Sequence, residues 1–247
     1  MQALLFAAGL GTRLRPYTDD RPKALVEVAG IPLLQLHLER LSTAGFTRVV
    51  VNIHHFADRM EAFLRSREWG MEVLISDERD LLLETGGGLL KAMPHFGDAQ
   101  QLLLINVDVL TNLDLRGLWQ SHISQGAEAT LASRDRKSSR VLLWDDQLRL
   151  SGWRNTEKSE ERIVRPDAGA LTPLAFSGVH ILSADLVRRM ALLPLAQQRK
   201  FSITDAYLDL AGQGADIRAF RHDTDFWMDV GRPEHLEQAA QHLHLLR

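Results

Sequence analysis

Apolar positions in the first half of the chain come in short solid blocks that alternate with stretches of helical spacing. Residues 2–7 form a compact apolar run ending in a glycine-containing loop, the pattern of a buried strand. Residues 33–44 repeat leucine at Leu34, Leu38 and Leu41, which predicts a helix that Gly45 stops. Residues 48–53 (RVVVNI), 71–76 and 101–107 (QLLLINV) predict further strands; residues 56–67, 87–93 and 113–125 predict helices. This alternation predicts an α/β fold with a mostly parallel mixed sheet and helices on both faces. Ligands of such sheets sit beyond the carboxyl ends of the strands.

The second half is richer in strands. Residues 127–132, 141–144 and 148–153 predict strands, with residues 145–147 as a hairpin turn. Residues 154–171 are polar and irregular, which fits a substrate loop or a surface excursion equally. A strand at 175–182 and helices at 183–192 and 204–211 follow. Strands at 216–221 and 226–230 are expected to close the sheet, and Pro233 to open a final helix. With no linker, internal repeat or low-complexity segment, the 247 residues predict one domain.

Composition narrows the chemistry. The chain is 45% hydrophobic, enough for a sizeable core, and its formal charge of -3 gives no general electrostatic basis for nucleic-acid binding. Having no cysteine, it cannot use disulfides, zinc thiolates or thiol catalysis. The N-terminus is a poor signal peptide, and no apolar run approaches the roughly 20 residues of a bilayer span, so a cytoplasmic location without membrane contact is expected.

The first strand runs into Ala7, Ala8, Gly9, Leu10, Gly11, Thr12, Arg13, Leu14 and Arg15. Glycines let a backbone approach a ligand closely, and successive N–H groups in such a loop can cradle an anion. Arg13, Arg15 and, further on, Lys23 add positive charge. The loop lacks the Gly-Lys-Ser/Thr ending of a Walker motif, and Leu14 stands where a dinucleotide fingerprint needs glycine. Asp108 and Asp229 each follow a predicted strand, where two carboxylates could converge on Mg²⁺, a hard cation that prefers oxygen ligands. Gly86, Gly87 and Gly88 form a second glycine cluster at the start of the helix expected over 87–93, whose cost in chain entropy fits either close backbone approach to a planar base or a flexible link from strand to helix. His54, His55 and His180 lack a convincing ligand spacing; His235, His242 and His244 are expected to be solvated on the terminal helix.

The stretch FAAGLGTRLRPYTDDRPKALVEVAG closely resembles the N-terminal signature of sugar-1-phosphate nucleotidyltransferases, and later motifs occur in the matching order over nearly the whole chain. Leu-Glu-Thr-Gly-Gly-Gly at 83–88 resembles in particular the N-acetylmuramate-1-phosphate uridylyltransferases of cell-wall recycling; mannose-1-phosphate guanylyltransferases and phosphocholine cytidylyltransferases share the general pattern. The resemblance implies a Rossmann-like fold with a nucleotide-binding half over about residues 1–112 and a sugar-binding half over about 113–247. Hexapeptide repeats that would build a C-terminal β-helix are missing.

It also implies partners: a nucleoside triphosphate, UTP by preference, and a sugar 1-phosphate, bound by a monomer or homodimer. Arg13 would promote departure of pyrophosphate and Lys23 would contact phosphates. Ala7, Ala8, Gly9, Gly11, Thr12, Arg13, Glu84, Thr85, Gly86 and Gly87 would bind nucleotide. Lys23, Asn106, Glu157, Lys158 and Gly178 would bind the sugar phosphate, and Asp108 and Asp229 would hold Mg²⁺. Asn52 resembles a position near substrate. Val107 departs from the small residue usual before the first metal aspartate, a change expected either to narrow the sugar-phosphate site or to shift the local backbone. A catalytically silent, sugar-nucleotide-sensing subunit would lack Arg13, Lys23 or a metal aspartate; all are present.

Overall fold

The computed structural model describes residues 1–246. Its strands are β1 (Gln2–Phe6), β2 (Glu27–Val28), β3 (Ile31–Pro32), β4 (Arg48–Ile53), β5 (Glu72–Asp77), β6 (Gln101–Asn106) and β7 (Val109–Thr111), then β8 (Ala129–Arg134), β9 (Arg140–Trp144), β10 (Leu150–Asn155), β11 (Glu160–Ile163), β12 (Thr172–Ser183), β13 (Ile217–Arg221) and β14 (Trp227–Asp229). The α-helices are α1 (Leu33–Thr43), α2 (Ala57–Leu64), α3 (Glu84–Ala92), α4 (Leu115–Gln125), α5 (Ala184–Ala191), α6 (Ile203–Gly212) and α7 (Pro233–Gln241).

The main sheet runs β11-β10-β9-β12-β6-β1-β4-β5, with β8 paired to β12 and β13. β6, β1, β4 and β5 are mutually parallel, as the alternation in the first half predicts. β12 joins them antiparallel and carries the strand-rich second half. The period-two side-chain alternation of strands splits the core between two faces. On β1, Ala3 and Leu5 pack with residues of α1, α2, α4 and α7, whereas Leu4 and Phe6 pack with residues of α3, α5 and α6. Residues 145–147 turn as expected, with Asp145 Oδ1 accepting from the Gln147 and Arg149 amides at 3.0 and 2.8 Å.

Four expectations change. β14 does not extend the main sheet; it pairs with β7 in a separate antiparallel ribbon. Residues 154–171 are not wholly irregular, because β11 folds back on β10 in a hairpin. β11 is exposed along its whole length, so it has no apolar alternation to betray it. Helix α3 starts at Glu84, three residues earlier than expected, which brings Gly86 into the helix beside Gly87 and Gly88. β2 and β3 form a small hairpin with no counterpart among the expected elements.

Candidate active site

The phosphate-loop candidate leaves the C-terminal end of β1, where the sheet's parallel strands also deliver Asn52 from β4 and Asn106 from β6. Gly11 adopts φ +65°, and a Cβ there would meet Thr18 at 2.9 Å and Lys23 at 3.0 Å. The Thr18 hydroxyl donates to the Gly11 carbonyl at 2.9 Å. Gly11 therefore holds the loop tight against the segment that carries Lys23.

A buried polar relay fixes the loop's other end. Asn52 Oδ1 accepts from the amides of Ala7 (2.6 Å) and Ala8 (3.2 Å), and its Nδ2 donates to Glu78 Oε1 at 2.7 Å. The other oxygen of Glu78 accepts from the Leu83 amide at 3.1 Å. The amides of Ala7 and Ala8 therefore already have a partner in Asn52, while Ala8 also lines the adjoining cavity. Burial pushes the Glu78 carboxyl up, while Asn52 and the Leu83 amide oppose the shift. No motif marks Glu78; only its position after β5 brings it under the loop.

The glycine cluster has a packing explanation. A Cβ on Gly86 would meet the Phe201 ring at 2.2 Å, one on Gly87 the Arg199 carbonyl oxygen at 1.9 Å, and one on Gly88 Glu78 Oε1 at 2.8 Å. The Gly86 amide donates to the Phe201 carbonyl at 2.9 Å. These glycines let α3 press against residues 199–201 and the Asn52–Glu78 pair, and neither Gly86 nor Gly87 lines the adjoining cavity.

That cavity, of about 370 Å³, is lined by Ala8, Gly9, Lys23, Asn52, Glu84, Thr85, Asn106 and Asp108, among others. Lys23 Nζ makes an ion pair with Asp108 Oδ2, both side chains being largely buried. The β7–β14 ribbon brings the second aspartate alongside: Asp229 is paired with Val109, and the Val230 amide donates to the Asp108 carbonyl at 2.8 Å. Arg13 approaches Asp229 Oδ2 at 4.0 Å, and Asp229 Oδ1 accepts from the Gly231 amide at 2.6 Å. His235 is not merely solvated; its Nδ1 donates to the Asp229 carbonyl at 2.5 Å. His37 Nε2 donates to the Val107 carbonyl at 3.1 Å, just before Asp108. Gly178 has φ +73°, and a Cβ there would strike Asn106 Nδ2 at 2.9 Å, so its conformation leaves room for a cavity-lining side chain. A larger groove of about 650 Å³ lies between α1 and the start of α4, away from both Lys23 and Asp108.

Glu157 and Lys158 lie apart from these walls, in the exposed turn between β10 and β11. Their amides donate to Asn155 Oδ1 at 3.1 and 3.3 Å, and the neighbouring Thr156 amide donates to the Ser139 carbonyl at 2.8 Å. The hairpin tip thereby reaches the edge of a second cavity, of about 430 Å³, lined in part by Ser138 and Arg140. Ser202 lines both cavities.

The fit to a divalent cation follows from the donor set. Asp108 and Asp229 offer hard carboxylate oxygens, and each now faces a cation, Lys23 or Arg13. Among the described residues no third acidic or histidine ligand joins them. Mg²⁺, which commonly binds one or two carboxylates and completes its shell with phosphate and water, fits such a pair.

A cavity at the carboxyl ends of parallel strands, with a cation-bearing glycine loop on one wall and an aspartate on another, lies where open α/β sheets bind their ligands. The chain belongs to the nucleotidyl transferase family, whose model matches residues 2–245, and it is a sugar-1-phosphate nucleotidyltransferase. It is 36% identical over 240 residues to the N-acetylmuramate α-1-phosphate uridylyltransferase of Caulobacter vibrioides, covering 94% of this chain and 92% of the relative. It is 32% identical over 249 residues to the enzyme of the same name from Neisseria meningitidis, covering 97% and 96%. The fold is shared with HddC from Yersinia pseudotuberculosis, solved as a complex with GMP-PN, at a TM-score of 0.75 and 23% identity over 98% of this chain and 99% of that one. No helix among the described residues is long and apolar enough to cross a membrane.

Proposed function

We propose that the chain transfers a uridylyl group from UTP to N-acetylmuramate 1-phosphate, giving the nucleotide sugar and pyrophosphate, with Mg²⁺ held by Asp108 and Asp229. The observation that carries the reading is the meeting of Lys23 and Asp108 in one cavity with Ala8, Gly9, Glu84 and Thr85. Near-full-length similarity to two enzymes of that specificity supports the choice of base and sugar.

In this reading a phosphate oxygen of the sugar attacks the α-phosphorus of UTP, and the bond to pyrophosphate breaks. The attacking phosphate is already ionised near neutral pH and needs no general base. Bound Mg²⁺ supplies charge neutralisation between the two phosphate groups. The protein's own part is positioning and electrostatics. Lys23 holds phosphate, Arg13 offsets the charge growing on pyrophosphate, and the Asn52 relay keeps the loop in place for both. Gly9, Gly11, Thr12, Glu84 and Thr85 form the nucleotide side, and Asn106, backed by Gly178, the sugar-phosphate side. Residues 1–112 supply every wall of the first cavity except Ser202, whereas the second cavity is walled by later residues alone, which supports a nucleotide half followed by a sugar half.

The test is pyrophosphate release with Mg²⁺ across UTP, GTP, CTP, ATP and dTTP, each offered N-acetylmuramate, mannose or glucose 1-phosphate. The reading expects the first pair to dominate. Dominance of GTP with mannose 1-phosphate would replace base and sugar, and silence across the panel would favour a sensing subunit.

A further inference from the structure

The second cavity holds two arginines and one carboxylate, Asp205. Arg136 and Arg140 both line it, and among the described residues neither makes an ion pair. Arg136 is well anchored. Its guanidinium lies 4.2 Å from the centroid of the Trp227 ring, and one nitrogen donates to the Phe176 carbonyl at 3.3 Å. Its Nε is buried without a hydrogen-bond partner. Trp227 and Asp229 belong to the same strand, β14, so the stacked guanidinium lies on the Asp229 side of the site. An arginine stacked on an aromatic ring is preorganised for a planar, bidentate anion.

The other walls sharpen the chemistry. Trp153 and Phe176 are apolar, Ser138, Ser202 and Thr204 offer hydroxyls, and Asp205 is the one acidic member. The amino end of α6, capped by Ser202, also faces this junction and adds the positive end of a helix dipole. Because Ser202 lines both cavities, a molecule with its phosphate near Lys23 and Asp108 can extend toward Arg136.

We propose that this second cavity is the subsite for a carboxylate borne by the sugar ring, with Arg136 as its principal reader and Arg140 as a second cation. The inference rests on the reading above that the acceptor is a muramate-type sugar 1-phosphate. It adds the residue that separates such an acceptor from the same amino sugar without the lactyl ether. The charged group would gain a desolvated cation, whereas a neutral sugar would leave Arg136 unpaired, and an unpaired polar group is what makes a site reject the wrong ligand.

The experiment compares N-acetylmuramate 1-phosphate with N-acetylglucosamine 1-phosphate, which differ by the lactyl group alone. The kcat/KM ratio for the two is measured for the full chain, Arg136→Gln and Arg136→Lys, with whichever triphosphate proves active. Calorimetric binding of each sugar phosphate runs in parallel, and melting curves check that the variants fold. The expected result is a preference for the carboxylated sugar that falls by about tenfold or more in Arg136→Gln and partly returns in Arg136→Lys. A preference that survives intact in Arg136→Gln, or an unmodified chain that does not distinguish the two sugars, overturns the inference. If the active triphosphate is not UTP, the base assignment fails, while the ratio still decides the role of Arg136.

Discussion

Lys23 and Asp108, 85 positions apart in sequence, form an ion pair in the wall of the nucleotide-side cavity. The pair is mostly enclosed, with side-chain exposures of 12% and 19%, so the lysine sits where a cation is needed and cannot be an incidental surface charge. The Arg13–Asp229 pair is more open, at 60% and 39%, and longer. The proposed function gives the two cations different tasks to match, Lys23 fixed against the cavity and Arg13 free to meet departing pyrophosphate.

Lys23→Ala and Arg13→Ala are each expected to lower kcat by about 2–4 kcal/mol of barrier, roughly thirtyfold to a thousandfold. Steady-state kinetics on folded variants checks this. Near-normal turnover of Arg13→Ala would remove it from the account of pyrophosphate departure.

Asp108→Asn and Asp229→Asn should raise the Mg²⁺ concentration for half-maximal rate, by at least the ~10–100-fold that loss of even an outer-shell metal partner costs. Chelation of the metal should stop turnover of the unmodified chain, and added Mg²⁺ should restore it. A magnesium titration on the three proteins gives the answer, and an unshifted curve for either variant takes that aspartate out of the metal site.

Gly87→Ala is expected to destabilise the fold by about 1–3 kcal/mol, because the new methyl would meet a backbone carbonyl that cannot rotate away. Melting temperature reads the loss, several degrees for a chain of this size. An unchanged melting temperature would mean that residues 199–201 yield without cost.

The glycine cluster also shows where sequence reading stops. Its composition and place after a strand are plain in the sequence, and locally they fit close approach to a base or a flexible link into the helix. The partners that explain it, Phe201 and Arg199, lie more than a hundred positions later, and such a contact leaves no local pattern. The parallel strands are legible because each has a short apolar run at its centre, β-branched in β4 and leucine-rich in β1 and β6. β7 and β14 were not recognised as a pair, since three-residue strands carry too little periodicity to predict one. Asp108 and Asp229 were identified by their motifs, but the ribbon that brings them together was not. Arg136 belongs to no motif and stands out only once Trp227 is beneath it.

Acid should weaken the fold. Burial is the leading cause that holds the His37, His122 and His222 imidazoles down at about 4, and His180 at about 3. In the unfolded chain these groups take a proton near 6.5, so below that pH the unfolded state binds more protons than the folded one. Stability is full above about 6.5 and is lost as pH falls toward 4, on the order of 3 kcal/mol for each such histidine at full extent. The four together, on the order of 12 kcal/mol, are comparable with the whole 5–15 kcal/mol of a folded domain, so unfolding should precede complete protonation. Melting temperatures at pH 7 and pH 5 should differ clearly, and His122→Gln should flatten the slope. Equal values at the two pH values would contradict this account.

The most direct measurement of the central claim is phosphorus NMR of the chain with Mg²⁺, UTP and N-acetylmuramate 1-phosphate. The account predicts that the sugar-phosphate and UTP signals fall together while a diphosphate sugar and pyrophosphate rise in equal amounts. Release of orthophosphate from UTP without a sugar diphosphate, or UTP loss independent of the sugar phosphate, would contradict nucleotidyl transfer at this site.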